Sequence, residues 1–221
     1  DYLSLLFAEE ATPLEDTAHA LPLLFITEYA LAKLMINKGI TPDAMIGHSL
    51  GEYVAACISG VFSYQDALKL VYTRGKLMKE VAEGAMISVS ASADRINDLA
   101  EKVEGVSLAA INSPQNCVFS GNKSAVENFA TLLEEQGIEA KIIRIAVASH
   151  SALMDPILDE FGRVAEEVTY HPPQIPYVAN YTGALAGPDE VNAAYWVNHL
   201  RNTVRFAEGI EKLEERFENC V

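Results

Sequence analysis

The sequence predicts an α/β fold, a core of alternating strands and helices interrupted by a small ferredoxin-like subdomain. Three observations predict it. A short apolar run, Ala44-Met45-Ile46, passes through Gly47-His48-Ser49-Leu50-Gly51 straight into a helical segment, which is the strand–turn–helix pattern of an α/β core. Between Ala85 and Val147 the elements then read β-α-β-β-α-β, the split βαβ order. After that insert, helix and strand patterns resume. The 221 residues, 50% hydrophobic, can bury a large core and lie between one domain and two. Residues 1–84 and 148–221 are therefore assigned to the core, and 85–147 to the ferredoxin-like subdomain.

The chain opens on Asp1-Tyr2-Leu3 without an initiator Met, and so reads as a piece of a longer one. Leu23–Met35 is predicted helical, with Leu24, Phe25, Leu31, Leu34 and Met35 as its apolar stripe and Gly39 as its stop. The loop Ile40-Thr41-Pro42-Asp43 leads into the first strand and the Ser49 turn. Glu52–Ile58 continues as a helix. Ser63, with Asp66 three residues on, caps a second long helix to about Val81.

In the insert, Met86–Ser90 is a strand and Asp94–Val103 a helix with Ile96, Leu99, Ala100 and Val103 on one face. Val106–Ala110 and Cys117–Ser120 are strands joined through Asn112-Ser113-Pro114. Ser124–Gln136 is a helix closed by Gly137, and Ala140–Val147 holds the last strand. Leu153–Val168 is then helical, Pro176–Asn180 is a strand, and Ala193–Leu200 and Ala207–Phe217 are helices.

Charge and composition narrow the function. The net charge of -15 argues against nucleic acid or an anionic membrane as the main partner, since both require clustered cations. With 16 Lys and Arg in all, an anionic ligand needs a local positive group. Cys57, Cys117 and Cys220 are an odd number without metal spacing, and a reducing, cytoplasmic setting fits them. No signal peptide is evident, and no apolar run reads as long enough to span a bilayer.

A Gly-x-Ser-x-Gly can be an ordinary turn. At a strand-to-helix junction it is instead the setting in which a Ser hydroxyl is pushed out at the top of a sheet, with helix N–H groups aimed at it. Ser49 is therefore the candidate nucleophile. A nucleophilic hydroxyl needs a base. His150 follows a strand and precedes a helix, at the active edge of an α/β sheet, whereas His19, His171 and His199 lack that placement. His48 neighbours Ser49 but cannot easily turn onto it, and reads as packing.

Arg74 falls in the apolar stripe between Val71 and Met78. Such an Arg either snorkels to solvent or points into the cleft, where its guanidinium would pair with a ligand carboxylate. No carboxylate is obviously placed to orient His150. Asp155 faces away on the following helix, so a main-chain carbonyl would serve.

Gly47-His48-Ser49-Leu50-Gly51-Glu52-Tyr53, Tyr72-Thr73-Arg74-Gly75 with Met78, and Ser149-His150-Ser151-Ala152-Leu153-Met154 together resemble the malonyl-CoA:acyl-carrier-protein transacylase family, most nearly the acyltransferase domains of modular polyketide synthases. Tyr195–Arg201 and Val204-Arg205-Phe206 resemble its C-terminal motif. The resemblance implies an α/β-hydrolase-like core with a ferredoxin-like insert. It implies Ser49 as acylated nucleophile, His150 as base and then acid, and Arg74 as holder of the malonyl carboxylate. It also implies the Leu50 N–H as half of the oxyanion hole, and a main-chain carbonyl near Arg205 as the group orienting His150. Asn112, in Ile111-Asn112-Ser113-Pro114, matches a further motif at the substrate site.

The implied substrate is a malonyl- or methylmalonyl-CoA thioester, with no bound cofactor. The implied partner is an acyl carrier protein, with a ketosynthase neighbour in a synthase. Ser149 resembles the methylmalonyl type and Leu50 the malonyl type, which leaves malonyl narrowly favoured. The family's Gly-Gln-Gly loop, the other oxyanion donor, would lie before Asp1, and its Thr-Gln-Pro reads Ala20-Leu21-Pro22 here. A serine esterase or thioesterase on the same elbow, and a non-catalytic scaffold, are the other readings.

Overall fold

The structure, a computed structural model, describes residues 4–5, 7, 16–143 and 148–217. Within them the chain forms two sheets with helices packed around each. Helix α1 (Thr17–Asn37) is capped by Asp16, whose carboxylate accepts from Ala18 N. Strand β1 (Met45–Ile46) leads into helix α2 (Leu50–Ile58), and α3 (Tyr64–Met78) follows. Strand β6 (Tyr177–Ala179) lies parallel to β1, with Met45 opposite Tyr177 and Ile46 opposite Val178, and the short β7 (Ala184–Leu185) completes this sheet in the order β1-β6-β7.

The second sheet contains β2 (Gly84–Val89), β3 (Val106–Ser113), β4 (Asn116–Asn122) and β5 (Ala140–Ile143), antiparallel in the order β3-β4-β2-β5. Its helices are α4 (Ala93–Ala100) and α5 (Lys123–Glu135). This is the connectivity of a split βαβ pair. Alternate residues of β2, Ala85, Ile87 and Val89, pack with Ile96, Phe119, Phe129 and Leu133 in a core of their own. The part of the last predicted strand beyond Ile143 lies outside the described residues.

Four sequence expectations change. Helix α1 begins six residues before the predicted Leu23, because Pro22 is accommodated inside it rather than marking its start. Of its predicted stripe only Phe25 is buried, while Leu24, Leu31, Leu34 and Met35 face outward. The helix is apolar around most of its girth, so periodicity could not choose the inward face. By length and composition α1 also meets the criterion for crossing a membrane, which corrects the expectation that no segment does. Here it packs along α3, where Thr17 Oγ1 donates to Gly75 O at 2.8 Å and the Phe25 and Tyr29 rings meet Tyr64. Finally, the predicted helix Leu153–Val168 splits. A 3₁₀ turn covers Ala152–Ile157 and α6 begins at Leu158, since Pro156 lacks the N–H that a continuous helix would use.

Helices α7 (Ala193–Arg201) and α8 (Phe206–Arg216) close the larger core. Trp196, Tyr53, Tyr177, Phe25 and Phe161 are its largest fully buried side chains among the described residues. Cys57 and Cys117 are buried free thiols; Cys220 lies outside the described residues.

Candidate active site

The turn after β1 allows one conformation. A Cβ on Gly47 would stand 2.0 Å from Gly51 C, so the backbone of the turn passes itself at a distance only glycine permits. Ser49 takes φ 51°, and among the described residues only His150, at φ 57°, joins it as a non-glycine with positive φ. A non-glycine in this region costs of order 1–3 kcal/mol and persists only where its surroundings hold it.

Those surroundings come from across the sheet. The parallel β1–β6 register carries Asn180 up beside the turn, where its Oδ1 accepts from Ser49 N at 2.7 Å and its Nδ2 donates to Gly47 O at 2.7 Å. Asn180 N in turn donates to Glu52 Oε2 at 2.9 Å.

Ser49 Oγ lies 2.8 Å from His150 Nε2, and Arg74 Nη2 donates to the same oxygen at 3.0 Å. His150 Nδ1 donates to the main-chain oxygen of Asn202 at 2.9 Å. The tautomer follows: with the Nδ1 proton given to a carbonyl, Nε2 is the lone-pair nitrogen and accepts the Ser49 proton. Burial, reinforced by the nearby Arg74 charge and by His199, holds the His150 pKa well below the usual imidazole range. The ring is therefore neutral near pH 7, the state a base requires.

Asn202, not Arg205, is the orienting group. Arg205 has turned into the start of α8: its N–H donates to Asn180 O, its carbonyl accepts from Gly209 N, and its guanidinium pairs with Glu208. Asp155 is exposed and pairs with Arg201, away from His150.

Arg74 is 2% exposed and does not snorkel. Its guanidinium lies 5.7 Å over the Tyr53 ring, and Nε and Nη1 have no hydrogen-bond partner. Buried donors normally find partners, so two orphaned N–H positions beside a reactive oxygen are what a site awaiting an anion looks like.

The remaining predicted residues sit close by but differ in kind. Leu50 opens α2, the turn where N–H groups lack intrahelical acceptors, and its side chain is buried. Ser149 is half-buried and its carbonyl accepts from Ser120 Oγ. Asn112 does not touch Ser49 or His150. Its Oδ1 lies 2.8 Å from His48 Nε2 and its Nδ2 donates to Asn116, so it ties the second sheet to the turn. His48 packs on Phe206 with ring centroids 5.2 Å apart.

Sequence reasoning missed the support below the pair. Glu52 is fully buried, takes the Tyr195 hydroxyl and Asn180 N, and lies 3.2 Å from His199 Nε2 without hydrogen-bond geometry. Burial raises its pKa to about 8. His199 stacks edge-on to His150 with ring centroids 5.8 Å apart. A Glu directly after a glycine turn and a His three residues past Trp196 were visible in the sequence, but nothing local paired them.

A serine on a strained turn, hydrogen-bonded to a histidine inside a mixed α/β core, is the site of an acyl-transferring enzyme, and the comparisons give that class. The acyl transferase domain model matches residues 3–221, and the chain belongs to that family. It is 40% identical over 211 residues to a phenolphthiocerol synthesis type I polyketide synthase of Mycobacterium marinum, covering 94% of this chain and 10% of that protein. It is 41% identical over 216 residues to the spectinabilin polyketide synthase system protein NorB of Streptomyces orinoci, covering 95% and 10%. The chain thus spans about a tenth of the length of these relatives. The crystal structure of the acyltransferase domain from the second module of the salinomycin polyketide synthase superimposes with a TM-score of 0.93 at 43% identity, over 98% of this chain and 51% of that one. A type II malonyl-transacylase in complex with its acyl-carrier protein superimposes with a TM-score of 0.91 at 32% identity, over 98% and 73%.

Proposed function

We propose that this acyltransferase moves a malonyl-type unit, malonyl in preference to methylmalonyl, from coenzyme A to the phosphopantetheine thiol of an acyl carrier protein. The setting is polyketide biosynthesis in the cytoplasm, with a ketosynthase domain as neighbour in a synthase. Arg74 carries this reading: a buried guanidinium with two unpartnered nitrogens, Nε and Nη1, hydrogen-bonded through Nη2 to the oxygen that would be acylated. It offers a free carboxylate a bidentate partner beside the reacting carbonyl, which an uncharged acyl group cannot use.

The steps follow from the hydrogen bonds. Ser49 Oγ attacks the thioester carbonyl as its proton passes to His150 Nε2. The tetrahedral oxyanion meets the Leu50 N–H at the start of α2. The intermediate collapses, the C–S bond breaks, and His150 returns the proton to the departing thiol. The carrier thiol then gives its proton to Nε2 and attacks the Ser49 ester, and the second collapse reprotonates Oγ. Throughout, the Asn202 carbonyl holds Nδ1 and stabilises the transient imidazolium.

The test is mass spectrometry of the Ser49 peptide from the full-length protein, after incubation with malonyl-, methylmalonyl- and acetyl-CoA in competition. A malonyl adduct that is absent in Ser49→Ala and discharged by a carrier protein supports the reading. Release of free acid without an adduct would replace it with a hydrolase.

A further inference from the structure

The carbonyl that orients His150 belongs to a segment that links the larger core to the second sheet. After α7 ends, residues 202–205 form a non-helical link to α8, extended at Asn202. This stretch lies against the outer edge of β3, in the second sheet. Val204 N donates to Ala109 O at 2.9 Å, Ile111 N donates to Val204 O at 2.9 Å, and the pairing is parallel, Ala110 to Val204. Val204 is buried with Ala109, Ala110 and Val118. Thr203 adds one side-chain bond, its Oγ1 donating to Leu108 O at 2.7 Å. The carbonyl that accepts from His150 is one residue earlier.

We infer that Thr203 is a positioning residue for the base: by fastening the 202–205 segment to β3 it fixes the Asn202 carbonyl against His150 Nδ1. The second sheet thereby sets the orientation of a histidine that belongs to the other core. The inference rests on His150 being the base of the proposed reaction.

Asn202 is tied to Asn198 at the end of α7, Arg205 N to Asn180 O, and Val204 to β3 through its backbone. Thr203, next to the carbonyl, adds the side-chain bond that fixes the Asn202 side of the segment to β3. A Thr→Val exchange keeps the shape and removes only the donor. Displacements of about an ångström in a catalytic group can cost about a hundredfold, and a smaller shift of the carbonyl costs less, so about a tenfold loss in kcat is expected. KM should stay within about twofold, since Thr203 touches no substrate group in this reading.

The experiment compares Thr203→Val, Thr203→Ser and Thr203→Ala in the full chain. It measures kcat and KM for malonyl-CoA, melting temperature, and the nitrogen-15 shifts of the His150 ring. The expected result is a kcat loss of about tenfold in Val and Ala, near-normal kcat in Ser, and a His150 signal that moves from a single Nδ1–H tautomer toward a mixture. A merely structural role would lower the melting temperature while leaving the tautomer unmoved. If Val does not fold, the Ser and Ala pair decides alone. Wild-type kcat and an unchanged tautomer in Ala would overturn the inference while leaving the proposed function standing. A wild-type protein that forms no Ser49 adduct would overturn the proposed function instead.

Discussion

Replacing Arg74 by alanine removes the one buried cation that touches Ser49 Oγ. In the proposed complex the guanidinium makes two charge-assisted hydrogen bonds to the malonyl carboxylate, each worth about 1.5–3 kcal/mol. The two share one planar fork and do not add fully, so about 3–4 kcal/mol of discrimination is at stake. At about 1.36 kcal/mol per decade this is a loss of about 10²- to 10³-fold in the ratio of kcat/KM for malonyl-CoA over acetyl-CoA. The assay is acylation of Ser49 under competition, read by mass.

A second readout comes from His150, whose pKa the Arg74 charge helps to depress. In the proposed reaction His150 acts as a base only when neutral, so activity falls as pH drops through its pKa. Without Arg74 that pKa rises, and the acid limb of kcat/KM moves to higher pH. A malonyl-to-acetyl ratio changed by less than about threefold, with the acid limb unmoved, would refute the role of Arg74 in both respects.

The other predictions test the scaffold of the turn. Gly47→Ala forces a Cβ to 2.0 Å from Gly51 C, and should either fail to fold or lose more than about 4 kcal/mol in urea denaturation. Asn180→Ala removes the bonds to Ser49 N and Gly47 O; labelling of Ser49 by a serine-reactive phosphonate should slow by about tenfold or more while circular dichroism stays native. Glu52, raised from 4.5 to about 8, binds a proton more tightly folded than unfolded. Its contribution to stability is therefore fully present below pH 4.5 and is lost as pH rises through about 8. The stability difference between wild type and Glu52→Gln, followed by urea midpoints from pH 5 to 8.5, should shift steadily against the wild type; a flat difference would remove Glu52 from the account.

What the sequence disclosed was whatever the chain writes locally. The Gly47–Gly51 turn, the Ser63 cap and the β-α-β-β-α-β order depend on neighbours a few residues apart, and each stands in the structure. Arg74 was legible because a charge broke an apolar stripe. The groups that hold the pair were not legible. Asn180 reaches Ser49 across 131 positions, Tyr195 reaches Glu52 across 143, and Asn202 acts on His150 through a backbone oxygen, which no residue type announces. The implied carbonyl near Arg205 was three residues off for that reason: a main-chain acceptor is chosen by where a helix ends, and α7 ends at Arg201. The face of α1 was lost because its apolar residues encircle it.

The two non-glycine residues with positive φ among those described carry a consequence for synthesis. Ser49 is held by Asn180 and hydrogen-bonded to His150, whose other ring nitrogen is held by Asn202. Translation delivers the nucleophile about a hundred and fifty residues before the last of these partners. In the proposed reaction the serine therefore gains a correctly oriented base only after the segment that follows α7 has been made.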